Sequence, residues 1–444
     1  MKTKGEKMAK MTKSKYIIYG MGVSYFMLDQ LYNQWMPYYY LPPETEMNLE
    51  PLINSTYLVI TFIIARLIDA ISDPLVGYWS DNSKAKMGKR SFFMALGGLP
   101  LGIFMVMYFF PPKSSQLMML IYLSVLGGLF FSAYTLVGGP YNALIPDLAK
   151  TKEDQLNLST VQSTFRLIFT GIALVLPGML IKLLGGGNTE AGIRKTVILL
   201  TLFAVAGIYI CVFFLKEREL VEKSSETRKL GFGESLKYIM KREIILYFMG
   251  FVFFFSGFNI LRGILTYYLT IIMKLPIEKM TLITGLLFGV AGICFPITNK
   301  LGKKYSYKKI LILDILLLII GTGGLLLING KTGYMAYVMF VICGMGLSGS
   351  AFIFPQAMLS EISVKISEKE KVGLEGFLFG IQGLFLKLAF MAQQVIVPLV
   401  IVIGSPVYNK GLKRATDLGV RGSLMVALVF FGVSLFFYKM KKEN

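Results

Sequence analysis

Residues 57–81 read YLVITFIIARLIDAISDPLVGYWSD, an apolar stretch that Arg66, Asp69 and Asp73 interrupt. A helix of about 20 predominantly apolar residues crosses a bilayer, and this stretch meets that length. Positions i, i+3 and i+7 of a helix share one face, so the three charged side chains are expected to project together. Because a charge at the bilayer centre costs about 2.5–3.5 kcal/mol, ionisable groups there indicate a functional site.

The rest of the chain has the composition of a polytopic membrane protein. Its 444 residues are 55% hydrophobic and only 16% charged, which excludes an ordinary soluble domain. We predict an all-α membrane protein with twelve transmembrane helices, because isolated strands cannot satisfy their backbone hydrogen bonds in lipid. The predicted spans are 16–41, 52–80, 91–111, 116–145, 160–184, 196–215, 243–273, 279–300, 308–329, 334–361, 373–402 and 417–438.

The net charge of +20, from 46 Lys and Arg against 26 Asp and Glu, carries information about orientation. When the connections, together with the cations near the ends of the spans, are assigned alternately to the two sides, 31 cations lie on the side of both termini, 11 lie on the opposite side and four lie deep within spans. The positive-inside rule then predicts a multi-pass protein of the inner cell membrane with both termini in the cytoplasm. Topology accounts for the cations, so nucleic-acid binding is not expected.

The longest polar connection, 216–242, separates six predicted spans from six. We therefore predict an N-terminal six-helix bundle over 1–215, a cytoplasmic linker over 216–242 and a C-terminal six-helix bundle over 243–444. Short basic turns follow the second span of each half, at 81–90 and 299–309, which indicates pseudo-symmetric halves. Repeated halves around a midplane site are typical of secondary transporters, which alternate access between the two sides of the membrane.

The sequence lacks the residues on which common enzyme chemistry depends. It contains no histidine, which removes histidine bases, Ser-His and Cys-His pairs and histidine metal ligands. Cys211, Cys294 and Cys343 are solitary and lie in apolar runs, so neither a disulfide framework nor a zinc site is indicated. We expect neither enzymatic activity nor a cofactor.

The charged residues of the second span suggest a cation site. Asp69 and Asp73 lie one helical turn apart and repel each other unless a cation or a proton lies between them, which favours Na+ or H+ as a ligand. In an alternative that remains open, Arg66 pairs with these acids only to hold the helix in place. Lys387 in the eleventh span needs a carboxylate partner, for which Asp69 and Asp73 are candidates. Arg166 in the fifth span can bind a substrate with two hydrogen bonds or form a structural ion pair.

Three motifs resemble the glycoside-pentoside-hexuronide:cation symporter family of the major facilitator superfamily. The most specific is RxxDAxxDPxxGxxxD at 66–81, which is followed by the basic GKR at 88–90. The others are PYNALxP at 140–146 and the segment from MLSE to Lys387, at 358–387. The motifs are spread over most of the chain, so the resemblance covers its whole length.

The resemblance implies a small-molecule substrate and roles for individual residues. We also expect the protein to be a monomer in the lipid bilayer. The implied ligands of the coupling cation, a metal site if the ion is Na+, are Asp69, Ser72, Asp73 and Thr135. The residues that it implies in substrate binding or in its coupling to the cation are Arg166, Gln382 and Lys387. From their place in the spans we add Asp29, Arg66 and Asn142 as candidates for the same role.

This chain departs from the family's sugar carriers at the substrate site. Gly138 stands where those carriers have an acid that binds sugar hydroxyls, and Asn142 replaces an aromatic residue. The acid of the first span has no direct counterpart, because its position falls near Phe26 or Met27 and Asp29 is displaced around the helix. We expect cation-coupled symport of a sugar or glycoside by alternating access. Symport of a lysolipid or other amphiphile is the alternative, and a non-transporting sensor is less favoured.

Overall fold

The computed structural model describes residues 12–112, 115–149, 152–220, 240–329, 333–351, 353–370, 375–407 and 411–440. Most of this part of the chain is helical, and an isolated β-bridge between Pro43 and Ala415 joins two of the connections. Residues 221–239 of the predicted linker lie outside the described residues. The linker therefore stays a prediction.

The long helices are named here in chain order. They are α1 (Lys13–Met21), α2 (Tyr25–Tyr40), α3 (Ser55–Asp81), α4 (Lys89–Met107), α5 (Gln116–Leu148), α6 (Lys152–Gly185), α7 (Thr189–Leu215), α8 (Arg242–Gly263), α9 (Met280–Tyr305), α10 (Tyr307–Leu327), α11 (Met335–Ser350), α12 (Phe354–Glu370), α13 (Glu375–Val400) and α14 (Asp417–Met440). Shorter helical pieces lie at Gly22–Ser24, Glu217–Leu220, Leu265–Tyr267, Tyr268–Ile272 and Ile277–Lys279.

Every predicted span is occupied by one or two of these helices. The first span contains α1 and α2, and the tenth contains α11 and α12. Ten segments of the described chain are long and apolar enough to cross a membrane. The first two predicted spans are not among the ten, and both carry charged side chains that belong to the candidate site.

Two adjacent glycines hold α5 close to α3. A Cβ atom on Gly127 would lie 2.7 Å from the Cβ of Ala65, and one on Gly128 would lie 2.5 Å from Cδ1 of Ile68. Helices in membranes approach this closely where small residues line the contact. Gly127 and Gly128 therefore set the spacing at which the side chains of α3 meet those of α5.

Arg90, at the start of α4, anchors the end of α3. Its guanidinium donates to Ser80 at 2.6 Å, to Asp81 at 2.6 Å and to Asp147 of α5 at 2.8 Å. The backbone N–H of Arg90 also donates to the buried carboxylate of Glu217, at 3.1 Å. The charged end of α3 is thus fixed to the helices that follow it, which stabilises the orientation of its inward face.

The helix α8 does not continue regularly beyond Gly263. Ile264 interrupts it, a short helix follows at Leu265–Tyr267, and a π-helical turn occupies Tyr268–Ile272. Irregular backbone at membrane depth is tolerated where protein surrounds it, and this segment is buried throughout. Such π-helical turns are frequent at functional sites.

The described chain forms two compact units, called unit 1 and unit 2. Unit 1 takes the described residues within Met1–Tyr32, Ile63–Leu176 and Ala191–Glu226. Unit 2 takes those within Asn33–Phe62, Pro177–Glu190 and Thr227–Asn444. The helices α2, α3, α6 and α7 contribute residues to both units, and the predicted division into two six-helix bundles stays a prediction.

Candidate functional site

The hydroxyl of Thr135, on α5 in unit 1, lies among oxygen atoms of α3. Its Oγ1 lies 2.9 Å from Asp73 Oδ1 and 3.2 Å from Asp69 Oδ1. The Ser72 hydroxyl lies 3.2 Å from the same atom and donates to the backbone carbonyl of Asp69 at 3.0 Å. The structure therefore brings together the four residues that the family resemblance assigned to the coupling cation.

These four side chains offer the oxygen ligands that hard cations prefer. A hydroxyl has one proton, so Thr135 can donate to only one of the two carboxylates at a time. A bound cation would relieve the repulsion between the carboxylates more fully than this shared proton does. Within the described residues, no group of three or more His, Cys, Asp or Glu is placed to hold a metal ion. A Na+ ion at this place would be held by two carboxylates and two hydroxyls.

Arg66 neutralises part of the negative charge near this oxygen cluster. Its Nη1 lies 3.3 Å from Asp69 Oδ2, and its Nη2 lies 3.7 Å from Asp29 Oδ1. The guanidinium carbon also lies 4.2 Å from the centroid of the Phe131 ring. Arg66, Asp69 and Asp29 are buried, whereas Asp73 is exposed. Two carboxylates share this guanidinium, and Asp73 adds a third carboxylate on the other side of the Thr135 hydroxyl, so negative charge is in excess here.

Tyr25 of α2 fills the space beside Gly138 of α5. A Cβ atom on Gly138 would lie 3.0 Å from Cε2 and 3.3 Å from the hydroxyl oxygen of Tyr25. The Tyr25 ring packs edge to face against Tyr134, with 5.0 Å between the ring centroids. The position at which the family's sugar carriers have an acid is therefore covered by a phenol in this chain.

Arg166, on α6, belongs to a polar group in unit 1. Its guanidinium carbon lies 5.0 Å from the centroid of the Phe26 ring, and its Nε is buried without a hydrogen-bond partner in the described part of the chain. The Tyr25 hydroxyl is within hydrogen-bonding reach of Arg166 and Asn142. Asn142 is exposed, and its Oδ1 accepts from Gln162 Nε2 at 2.7 Å. The group combines hydrogen-bond donors and acceptors with a single positive charge.

Gln382 and Lys387 lie on α13, in unit 2. Gln382 is buried, and its Nε2 donates to the Tyr247 hydroxyl at 2.7 Å, which donates to the carbonyl of Pro355 at 2.7 Å. Lys387 is half-buried, five residues further along the helix. Its predicted pairing with an acid of α3 would join the two units and stays a prediction.

Two members of the polar group around Arg166, Tyr25 and Gln162, are absent from the sequence-based prediction. Gln162 precedes Arg166 by four residues, so the helical spacing of two polar residues was a usable signal. Tyr25 offers no such signal, because its contact with Gly138 joins two helices that are far apart in the sequence.

Buried charges, an oxygen cluster and a separate polar group inside a bundle of apolar helices are the organisation of a membrane transporter rather than of an enzyme. A comparison with known families agrees, because the family model described as MFS/sugar transport protein matches residues 18–440. The chain belongs to this family of the major facilitator superfamily, and it is a multi-pass membrane transporter.

Individual proteins resemble the chain at low identity and over most of its length. It is 24% identical over 378 residues to the uncharacterized symporter YnaJ of Bacillus subtilis (strain 168), covering 83% of this chain and 80% of that protein. It is 23% identical over 404 residues to the isoprimeverose transporter of Lactiplantibacillus pentosus, which covers 88% of this chain and 82% of that protein. The crystal structure of a bacterial homologue of the human lysosomal transporter Spinster matches with a TM-score of 0.68 at 15% identity, and the match covers 96% of this chain and 95% of that protein. These matches confirm the predicted all-α transporter fold.

Proposed function

We propose that the chain couples the entry of Na+ or H+ to the uptake of a sugar or glycoside. The observation that carries this proposal is the oxygen cluster, in which the Thr135 hydroxyl lies 2.9 Å and 3.2 Å from the carboxylates of Asp73 and Asp69. A symporter needs a site that is incomplete without its cation. Two carboxylates that share one proton donor meet this requirement.

The polar group around Arg166 supports a hydroxyl-rich substrate. Arg166 Nε has no partner among the described residues, and Asn142 is exposed beside it. A sugar can donate to the amide oxygen and accept from the guanidinium, whereas an acyl chain would leave such groups unpaired. The similarity to a protein named isoprimeverose transporter supports the same substrate class. Lysolipid symport remains the alternative and is an outcome of the test below.

Coupling is proposed to act through charge. A cation between Asp69 and Asp73 removes their repulsion and weakens the attraction of these acids for Lys387. A ligand that changes the relative energies of two conformations shifts their populations by its differential affinity for them. Cation and sugar together would thereby favour the transition that carries both across the membrane.

The arrangement in the membrane is part of the proposal. The distribution of Lys and Arg along the sequence supports an inner-membrane protein with both termini in the cytoplasm. The protein is proposed to act as a monomer of two six-helix bundles joined by the linker 216–242, with no cofactor other than the coupling ion.

The test is uptake into proteoliposomes, with isoprimeverose, methyl glycosides and a lysolipid as probes and with an imposed sodium or proton gradient. The variant Asp73→Asn is expected to abolish gradient-driven accumulation, because it removes an exposed carboxylate of the cluster and leaves the buried Arg66 pair intact. Asp417→Asn is the matched control, since Asp417 is an exposed acid that pairs with Arg421 on α14. Undiminished gradient-driven uptake by Asp73→Asn would disprove the coupling site, and uptake of the lysolipid alone would assign the alternative substrate.

A further inference from the structure

We propose that a cluster of buried amides in unit 2, which we call the amide cluster, is a second hydroxyl-binding subsite for the transported sugar. Its members come from α2, α8 and α13, and no substrate role was expected for any of them from the sequence. The members are Asn33, Gln34, Asn259, Arg262, Gln393 and Gln394. The proposal rests on sugar transport as the proposed function and adds a second place of contact to it.

The amide cluster is held together by hydrogen bonds between helices. Gln393 Nε2 donates to the backbone carbonyl of Asn33 at 3.1 Å, and Gln394 Nε2 donates to Asn33 Oδ1 at 2.7 Å. Gln34 Nε2 donates to the Thr266 hydroxyl at 3.2 Å. All of these side chains are buried, so each polar atom requires a partner inside the protein.

Several polar atoms of the amide cluster have no such partner. The Oε1 atoms of Gln34 and Gln393 and the Nδ2 atom of Asn259 are buried without a hydrogen bond in the described part of the chain. For Gln393 the assignment of the amide oxygen and nitrogen is fixed by its hydrogen bond. The backbone carbonyl of Asn33 can accept only from the amide nitrogen, so Oε1 points away from that carbonyl. Gln393 Oε1 is therefore a buried acceptor that a hydroxyl group of a ligand can donate to.

The local backbone is shaped to admit Gln393. A Cβ atom on Gly263 would lie 2.6 Å from Gln393 Nε2, so this amide occupies the space that a side chain on α8 would need. Regular α8 ends at Gly263, and the π-helical turn at Tyr268–Ile272 follows within one to two turns. Discontinuous helices with irregular backbone are the usual location of substrate sites in transporters.

The polar atoms without partners in the amide cluster are ones that the hydroxyl groups of a sugar can pair with. Hydroxyl protons can satisfy the Oε1 atoms of Gln34 and Gln393, and sugar oxygens can accept from Asn259. Arg262 lies three residues after Asn259, on the same face of α8, and its guanidinium carbon lies 5.6 Å from the centroid of the Phe390 ring. A hydrocarbon chain in the same place would leave the acceptors unpaired.

The amide cluster is distinct from the predicted midplane site. Gln393 lies six residues beyond Lys387 on α13, which corresponds to about 9 Å along the helix. In the proposed orientation this displacement is toward the outside, where a substrate arrives. The amide cluster would thus contact the sugar before it reaches the level of Lys387, or contact a second ring of a larger glycoside.

The experiment is a binding titration with the purified full-length protein in detergent. The probes are isoprimeverose and methyl glycosides, followed by the monodeoxy derivatives of whichever probe binds most tightly. The variants are Gln393→Met and Gln34→Met, which remove one acceptor each at similar volume. Ser434→Ala is the control, because it removes a buried hydrogen bond to the carbonyl of Gly250 that is remote from the amide cluster. Size-exclusion profiles and thermal unfolding establish that each variant is folded.

In the wild type, one monodeoxy derivative is expected to bind about tenfold more weakly than the parent sugar. In Gln393→Met or Gln34→Met the parent sugar binds about tenfold more weakly, and the same derivative causes no further loss. A purely structural role would give equal losses for the derivative in every background, and that result overturns the subsite while leaving sugar transport intact. If the wild type binds none of the sugars, both the proposed function and the subsite are wrong.

Discussion

The ion group around Arg66 leads to a quantitative prediction about stability. Its guanidinium is shared between Asp69 at 3.3 Å and Asp29 at 3.7 Å, and all three side chains are buried. With an effective dielectric constant of about 20, these separations correspond to gross attractions of about 5 and 4.5 kcal/mol. The two acids are therefore nearly equivalent partners, and either one alone can compensate most of the buried cation.

Replacing one of these two acids should consequently lower the free energy of unfolding only slightly, while replacing both should lower it much more. Asp69→Asn and Asp29→Asn are each expected to lower the free energy of unfolding by about 1 kcal/mol, since one charged partner and the hydrogen-bonding shape remain. The double variant leaves Arg66 without either of these carboxylates, a loss of the kind that costs about 3–5 kcal/mol. The expected excess over the sum of the single changes is thus about 1–3 kcal/mol.

The measurement is the equilibrium unfolding of the purified protein in mixed micelles of increasing sodium dodecyl sulfate fraction, followed by tryptophan fluorescence. The two single variants, the double variant and the wild type form a double-mutant cycle. The combination of Asp29→Asn with Asp417→Asn is the control, because Asp417 pairs with Arg421 in unit 2 and shares no partner with Arg66, so the two losses of unfolding free energy should add. Additive losses for Asp69→Asn and Asp29→Asn would refute the view that one guanidinium is shared between them.

Two further predictions follow from contacts within unit 1. Gly138→Ala should weaken sugar binding several-fold, because its Cβ would lie 3.0 Å from the aromatic ring packed on it, whereas Gly139→Ala, with no atom within 4 Å, should leave the binding isotherm unchanged. Equal isotherms for the two alanine variants would contradict this prediction. Arg90→Ala should destabilise the protein by about 2–3 kcal/mol, because it removes a buried guanidinium with its hydrogen bonds to Ser80, Asp81 and Asp147. Lys89→Ala, whose side chain is 30% exposed, should cost less than about 1 kcal/mol. Similar shifts in thermal unfolding for both would argue against an anchoring role.

The helices were predictable because length and apolarity suffice to recognise a span. The breaks within the predicted helices were harder to recognise from the sequence. The tenth span was predicted as one helix over 334–361, but α11 ends at Ser350 and α12 begins at Phe354. Pro355 stands in the first turn of α12, where a proline is tolerated because its missing N–H would be unpaired in any case. The sequence therefore held a signal for this break, which the hydropathy of the surrounding residues concealed.

The candidate site was predictable in part. Helical spacing places Arg66, Asp69 and Asp73 on one face, and in the structure Arg66 Nη1 lies 3.3 Å from Asp69 Oδ2. Spacing could not indicate that Asp69 is buried while Asp73 is exposed, because burial depends on the neighbouring helices. Thr135 entered only through the family resemblance, since its approach to α3 is a tertiary contact.

The amide cluster shows a different limit. The adjacent pairs Asn33-Gln34 and Gln393-Gln394 are polar interruptions of apolar spans and were visible in the sequence. Hydropathy weighs charges most heavily, so neutral amides draw little attention although they are also costly to bury unpaired. That the two pairs meet each other follows only from the packing of α2 against α13.

The contact of Gly127 and Gly128 with α3 bears on ion preference in the proposed cation site. The two glycines let α5 approach α3 closely, and these two helices carry the oxygen atoms of the proposed cation site. A site whose helices are held at one spacing discriminates between Li+ and Na+ by their different preferred distances to oxygen, whereas a proton binds directly to one carboxylate. In the proposed site, the preference between these two metal ions would then depend on two glycines that touch no ion, and a larger side chain at either position would push α3 and α5 apart.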